Sequence, residues 1–155
     1  MTTQTGIDPR GPRFSAGVTA VLLLVVIGLG VAGLTVASTV LFAVITAIFA
    51  WGAFAGVQRH PYGLFFKKVI RPRLAAPTEL EDPVPPTFAQ GVGFVITLVG
   101  LVLGLLGVPL AVVIAAGAAF IAAFLNSVFA YCLGCQIYLL LVRAGILGRK
   151  GAATA

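Results

Sequence analysis

The sequence predicts an all-α membrane protein: four transmembrane helices arranged as two helical hairpins in parallel repeat, with interfacial helix segments beside them. Three observations carry the prediction. Hydrophobic residues make up 60% of the 155-residue chain and charged residues only 9%, against about 25% charged in a soluble domain. No Asp, Glu, Lys, Arg or His occurs between Phe14 and Gln58 or between Pro83 and Val142, so charge is confined to short stretches that belong outside hydrocarbon. The residues leading into the first and third apolar runs also match at one constant offset.

Met1 to Arg13 is polar, and its prolines Pro9 and Pro12 oppose regular helix, so it reads as a lead-in. Phe14 to about Gly33 supplies the first span, near the length of about 20 residues that crosses a bilayer, and Leu34 to Thr39 offers an uncharged turn. The second span runs from about Val40 to Gly56, with Gly52 and Gly56 in a small-xxx-small spacing that permits close helix approach. Residues 58–87 then gather Arg59, His60, Lys67, Lys68, Arg71 and Arg73 in a loop too short for a separate domain.

Within that loop, Leu64-Phe65-Phe66 beside Lys67-Lys68 predicts a short helix in the membrane interface, rings inward and amines toward phosphates. Lys67, Lys68, Arg71 and Arg73 are the membrane-surface residues on this reading; plain snorkelling anchors at a helix end are the alternative. Phe88 to Leu106 gives the third span and Gly107-Val108-Pro109 the second short turn. The last apolar segment, Leu110 to Val142, would reach about 50 Å as a straight helix against a hydrocarbon core of about 30 Å. A break is therefore expected at Gly134 or just before it, with Gln136 to Val142 as a half-buried continuation and 143–155 as a tail.

All ten Lys and Arg fall in the lead-in, the central loop or the tail. The positive-inside rule places both termini and the loop 58–87 in the cytoplasm, with residues 1–155 forming one multi-pass membrane domain. A cleaved signal peptide is not expected, because the apolar run continues for two membrane widths. Asp8-Pro9, Pro12, Phe14, Gly17 and Val18 recur as Asp82-Pro83, Pro86, Phe88, Gly91 and Val92, an offset of 74. Residues 8–63 and 82–137 thus read as half-repeats, and two spans per half give both the same orientation.

The chemistry-bearing feature is Cys132-Leu133-Gly134-Cys135, which holds both cysteines of the chain. On a helix the two sulfurs share one face, close enough for a disulfide with modest adjustment. The spacing fits a redox pair, half a zinc site, or buried cysteines that only pack. The offset maps Arg59 to Gly63 onto Leu133 to Ile137, so His60 and Arg59 are expected near the pair, where positive charge would lower a thiol pKa. Gln136 and Tyr131, each four residues from one cysteine, are placed to donate to a thiolate. Asn126 would face elsewhere on a continuous helix.

The spans contain no acidic residue, which argues against carboxylate-coupled transport. No Walker loop, His-rich cluster or serine triad occurs, and one histidine excludes paired-histidine haem ligation. No cofactor and no metal are expected. The net charge of +6 is accounted for by topology and anionic lipid, without nucleic acid.

Asp8-Pro9-Arg10-Gly11-Pro12-Arg13-Phe14, His60-Pro61-Tyr62-Gly63 with Arg71-Pro72-Arg73-Leu74, and Phe124-Leu125-Asn126 leading to Tyr131-Cys132-Leu133-Gly134-Cys135 give nearly the whole chain a likeness. It resembles the bacterial membrane family catalogued as domain of unknown function 4395. The resemblance implies the bacterial cytoplasmic membrane as its location and no settled activity. It does imply frequent encoding beside thioredoxin-like or rhodanese-type sulfurtransferase proteins, which makes those the expected partners besides the lipid bilayer.

Three functions compete. The first is a membrane-embedded dithiol that exchanges electrons or sulfane sulfur with such a partner, Cys132 attacking. The second is a transporter of a sulfur species, built as a homo-oligomer because four spans enclose little volume alone. The third is a structural subunit whose cysteines only pack.

Overall fold

The computed structural model describes residues 6–148, and among them every long element is a helix. α1 (Arg10–Val31), α2 (Thr35–Ala55), α4 (Val84–Leu105) and α5 (Ala111–Phe129) are the four helices long and apolar enough to cross a membrane. Between α2 and α4 lie a 3₁₀ turn (Val57–Arg59), the short α3 (Pro61–Phe65) running into a π-helical turn (Phe66–Ile70), and a second 3₁₀ turn (Arg71–Arg73). After α5 comes α6 (Leu133–Arg143).

The first and third spans begin earlier than the prolines suggested, at Arg10 and Val84 rather than Phe14 and Phe88. Pro12, Pro85 and Pro86 stand in the first helical turn, where backbone N–H groups have no intrahelical acceptor, so a missing donor costs nothing. Each start is fixed the same way. Asp8 Oδ1 accepts from the Arg10 N–H at 3.0 Å, and Asp82 Oδ1 from the Val84 N–H at 2.9 Å.

The first hairpin turn is also tighter than expected, because α2 begins at Thr35 and not at Val40, whereas the second is slightly longer, α4 ending at Leu105 and α5 beginning at Ala111. Gly33 adopts φ 81° and Gly107 φ 86°, the left-handed conformation that ends a helix cheaply only at glycine. Around each, the Leu34 N–H donates to the Leu29 carbonyl at 2.9 Å and the Val108 N–H to the Leu103 carbonyl at 3.0 Å. These are equivalent bonds at the offset of 74, and α1 and α4 have equal lengths of 22 residues.

The four long helices form a ring in which α1 packs on α2 and α5, and α4 on α2 and α5. Neighbours run antiparallel: Gly30 lies against Val113 and Gly17 against Ser127, while Gly52 meets Gln90 and Gly100 meets Phe42. α1 and α4 therefore point the same way. Leu23, Val26, Phe42 and Ile45 fill the centre with the alanines of α5. The buried Thr97 returns its hydroxyl to the Gly93 carbonyl at 2.9 Å, which avoids an unpaired polar group in hydrocarbon. Val21, Val36, Phe54, Val95 and Ile114 face outward, the apolar exterior that a bilayer solvates.

The lead-in, the central loop and α6 share one end of the ring, called here the loop end. Ile7 and Glu81 exchange backbone hydrogen bonds of 2.9 Å, pinning the lead-in to the loop. Asp8 is buried and held by Arg10 Nε at 2.9 Å and Nη2 at 2.7 Å, and this guanidinium holds its carboxyl below the usual range. α3 folds back on α1 and α6 on α4. Phe14 stacks on Phe65 at 6.2 Å, and Phe88, the counterpart of Phe14 at the same offset, meets Tyr138 in a tilted pair at 5.5 Å.

Candidate thiol site and the neighbouring cavity

The overlong last apolar segment does break, just before Gly134. α5 stops at Phe129, and Ala130 takes the left-handed conformation with φ 56°, at the position equivalent to Gly56, which closes α2 with φ 86°. The Tyr131 N–H reaches back to the Leu125 carbonyl at 3.1 Å, completing the C-terminal cap. Cys132 is extended and becomes the N-cap of α6.

Its Sγ accepts from the Cys135 N–H at 3.2 Å and its carbonyl from the Gln136 N–H at 3.0 Å. The sulfur thus does what a serine or aspartate oxygen does at a helix start. Cys132 and Cys135 are joined as a disulfide, with Cα atoms 5.2 Å apart, inside the range such a bond spans. Cys135 is buried and Cys132 half-buried. Gly134 anchors the turn: a Cβ there would stand 2.5 Å from the Cα and Cβ of Ala89, so only glycine lets α6 lie this close to α4.

The disulfide borders a cavity of about 520 Å³ that Arg13, Gln90 and Asn126 also line. Asn126, which a continuous helix would turn away, joins the site because Ala130 redirects the chain. Arg13 reaches it because α1 and α5 are antiparallel neighbours. Sequence reasoning missed both; the signal available was the constant offset read together with antiparallel packing.

His60, expected beside the cysteines, lines a different cavity of about 280 Å³ with Asp8, Lys67 and Arg71. Pro12 and Gln90 line both cavities. The offset explains the separation. His60 follows α2 and Gly134, its counterpart at the offset of 74, follows α5, and α2 and α5 stand across the ring from each other. Burial pushes the His60 imidazole down to about 4, so it is neutral near pH 7 and supplies no positive charge to a thiolate.

Arg59 is exposed, its carbonyl accepting from Trp51 Nε1 at 3.0 Å, and it does not line the cysteine cavity. Tyr131 and Gln136 are exposed too; among the described residues neither side chain hydrogen-bonds a cysteine, since the break removes the continuous-helix geometry that paired them. Lys68 and Arg73 face outward, whereas Lys67 and Arg71 turn toward the His60 cavity. Phe66 is buried but Leu64 and Phe65 are partly exposed, so one ring of the interfacial helix faces the protein. Among the described residues no three His, Cys, Asp or Glu side chains gather as a metal-binding group, and the pair lacks the further ligands a structural zinc site takes.

Fold and site together define a polytopic helical membrane protein with a Cys-x-x-Cys disulfide at one end of a four-helix ring. Residues 7–143 match the family described as domain of unknown function DUF4395, and the chain belongs to that family. No curated protein and no solved structure is significantly similar to it.

Proposed function

We propose that the protein is a membrane-embedded thiol–disulfide exchanger, with Cys132 the attacking and Cys135 the resolving thiol. The observation that carries the reading is the cap: Cys132 Sγ sits at the N-terminus of α6 and accepts from the Cys135 N–H. That end carries the positive pole of the helix and unsatisfied N–H groups, which stabilise a thiolate against the desolvation that would otherwise keep it protonated. The half-buried Cys132 and buried Cys135 fit one sulfur that meets a partner and one that resolves.

In the exchange, a partner thiolate attacks Cys132 Sγ, forming a mixed disulfide and releasing Cys135 as thiolate. The partner's second thiolate then attacks its own half of the mixed disulfide and frees Cys132. Two electrons pass to the pair, and the partner leaves oxidised. In the sulfur-carrying variant, the Cys132 thiolate takes the outer sulfur of a partner persulfide, leaving the partner a thiolate; Cys135 then attacks the Cys132 persulfide, and hydrosulfide departs as the disulfide reforms. The partner class is a cytoplasmic thioredoxin-like or rhodanese-type protein, the membrane the bacterial cytoplasmic one, with both termini on the cytoplasmic side. The clustering of basic residues at the loop end supports that orientation.

The test uses native membranes without added reductant. Cys135→Ser should accumulate a mixed disulfide on Cys132 that dithiothreitol releases and mass spectrometry identifies. In the reduced wild-type protein Cys132 should alkylate with a midpoint below the ordinary thiol value of about 8.5, and His60→Ala should leave that midpoint in place. Absence of an adduct, with Cys132 titrating at or above the ordinary value, would make the pair a packing feature.

A further inference from the structure

Quite apart from the disulfide, we infer that the cavity between the start of α1, α3 and the start of α4 binds an oxyanion group, held by Lys67, Arg71, His60 and Gln90. Buried polar atoms are almost always hydrogen-bonded, yet two atoms on this cavity's lining residues are not. His60 is 3% exposed and its Nδ1 has no partner; Gln90 Oε1 is likewise buried and unpartnered.

The cations around them are equally unspent. Lys67 forms no ion pair or side-chain hydrogen bond among the described residues. Among the described residues Arg71 pairs only with Asp8, at 3.8 Å, and that carboxylate is already gripped by Arg10 through its backbone N–H, Nε and Nη2. Donors therefore exceed acceptors. A neutral imidazole offers one N–H, and the Gln90 amide offers its two N–H groups after rotation about its last torsion; Lys67 and Arg71 add three and five. A tetrahedral oxyanion, acceptor at every corner, answers all four side chains. A cation does not, because the single lining carboxylate is taken.

Size limits the ligand. A volume of about 280 Å³ lies just below the range of drug-sized ligand pockets, about 300–1,000 Å³, so a phosphate or sulfate group fits and a nucleotide does not. The site is particular to one half of the chain: at the offset of 74, His60, Lys67 and Arg71 become Gly134, Leu141 and Gly145. The oxyanion has two sources of the same chemistry, a free ion or the phosphate of an anionic lipid headgroup.

The experiment places the full-length protein in nanodiscs of phosphatidylcholine, titrates inorganic phosphate by calorimetry, and separately measures retention of phosphatidylglycerol by native mass spectrometry. Saturable one-to-one binding of either probe is expected; phosphate binding identifies a free ion, and lipid retention alone identifies a headgroup. Lys67→Gln with Arg71→Gln should weaken it by about tenfold or more, as loss of charge-assisted bonds implies. Lys68→Gln with Arg73→Gln removes equal charge from the same segment but not from the cavity, and should leave binding near wild type. Lys67, Lys68 and Arg73 are exposed and Arg71 is half-buried, so the unfolding midpoint of each variant pair is measured beside its binding, and Lys67→Gln alone, at an exposed position, should weaken binding with the midpoint unchanged. Failure of both probes to saturate, or equal weakening by the two variant pairs, overturns the site.

Discussion

An unfolded chain binds a proton on His60 between about pH 4 and pH 6.5 that the folded chain refuses, because the imidazole is 3% exposed and burial pushes it down to about 4. For a base depressed in the folded state, the unfolded state holds more protons across that window, so stability rises with pH through it and is lost on acidification. With about 6.5 for the unfolded imidazole and about 4 for the folded one, the loss between about pH 7.5 and about pH 4.5 is about 2.5 kcal/mol at about 1.36 kcal/mol per pH unit.

Two neighbours must be separated from it. Asp8, depressed by Arg10, contributes stability that is lost only as pH falls through its own lower value, beneath this window. Glu81 is raised by burial and by Asp82, so its protonation favours the folded state and has the opposite sign. Comparison with His60→Gln cancels both. Unfolding by guanidinium chloride in dodecyl maltoside micelles, followed through the single Trp51 in buffers free of phosphate and sulfate, gives the free energies. The variant should lack about 2.5 kcal/mol of the wild-type acid sensitivity. If wild type and variant lose the same stability, His60 is not buried as a neutral base and the reasoning fails.

The loop end should lie on the cytoplasmic side: reporters fused at Leu74 should be active only as cytoplasmic reporters and one at Thr35 only as an external one, and a cytoplasmic Thr35 would overturn the orientation. Gly134→Val should detach α6 from α4, since even a Cβ would stand 2.5 Å from Ala89. Overpacking of this kind costs about 1–3 kcal/mol, measurable in the same unfolding assay, whereas Gly28→Ala, with nothing within 4 Å, should be neutral or better.

The spans were legible because hydrocarbon tolerates no unpaired charge, and two long charge-free stretches left little choice of architecture. The helix starts were misjudged because a proline in the first turn looks like a breaker in sequence, although at Pro12 and Pro86 it removes only donors that no carbonyl awaited. The break before Gly134 was legible from length alone. The residue that turns the chain was not, because Ala130 carries no sign that it will adopt the left-handed conformation glycine takes at Gly56. The site was half legible: the offset located both the cysteines and His60 at the loop end, but equivalence was mistaken for proximity. Asn126 and Arg13 depended on a redirected chain and an antiparallel neighbour, neither visible one residue at a time.

The two loop-end cavities carry different side chains, which a symmetric pair of identical chains could not do. At the offset of 74, Gln58 corresponds to Cys132 and His60 to Gly134, and Lys67 and Arg71 line one cavity while the disulfide borders the other. For thiol exchange that separation has a consequence. Nucleophilicity falls as a thiol's pKa falls, and the best attacking thiol has a value near the ambient pH. A Cys132 sharing its cavity with Lys67 and Arg71 would be held as a thiolate too stable to attack well; a Cys132 with no help would stay protonated in its half-buried place. On the proposed exchange reading, the N-terminus of α6, with the Cys135 N–H on the sulfur and exposed Arg13 in the same cavity, would supply a field between these extremes, and Gln90 lines both cavities.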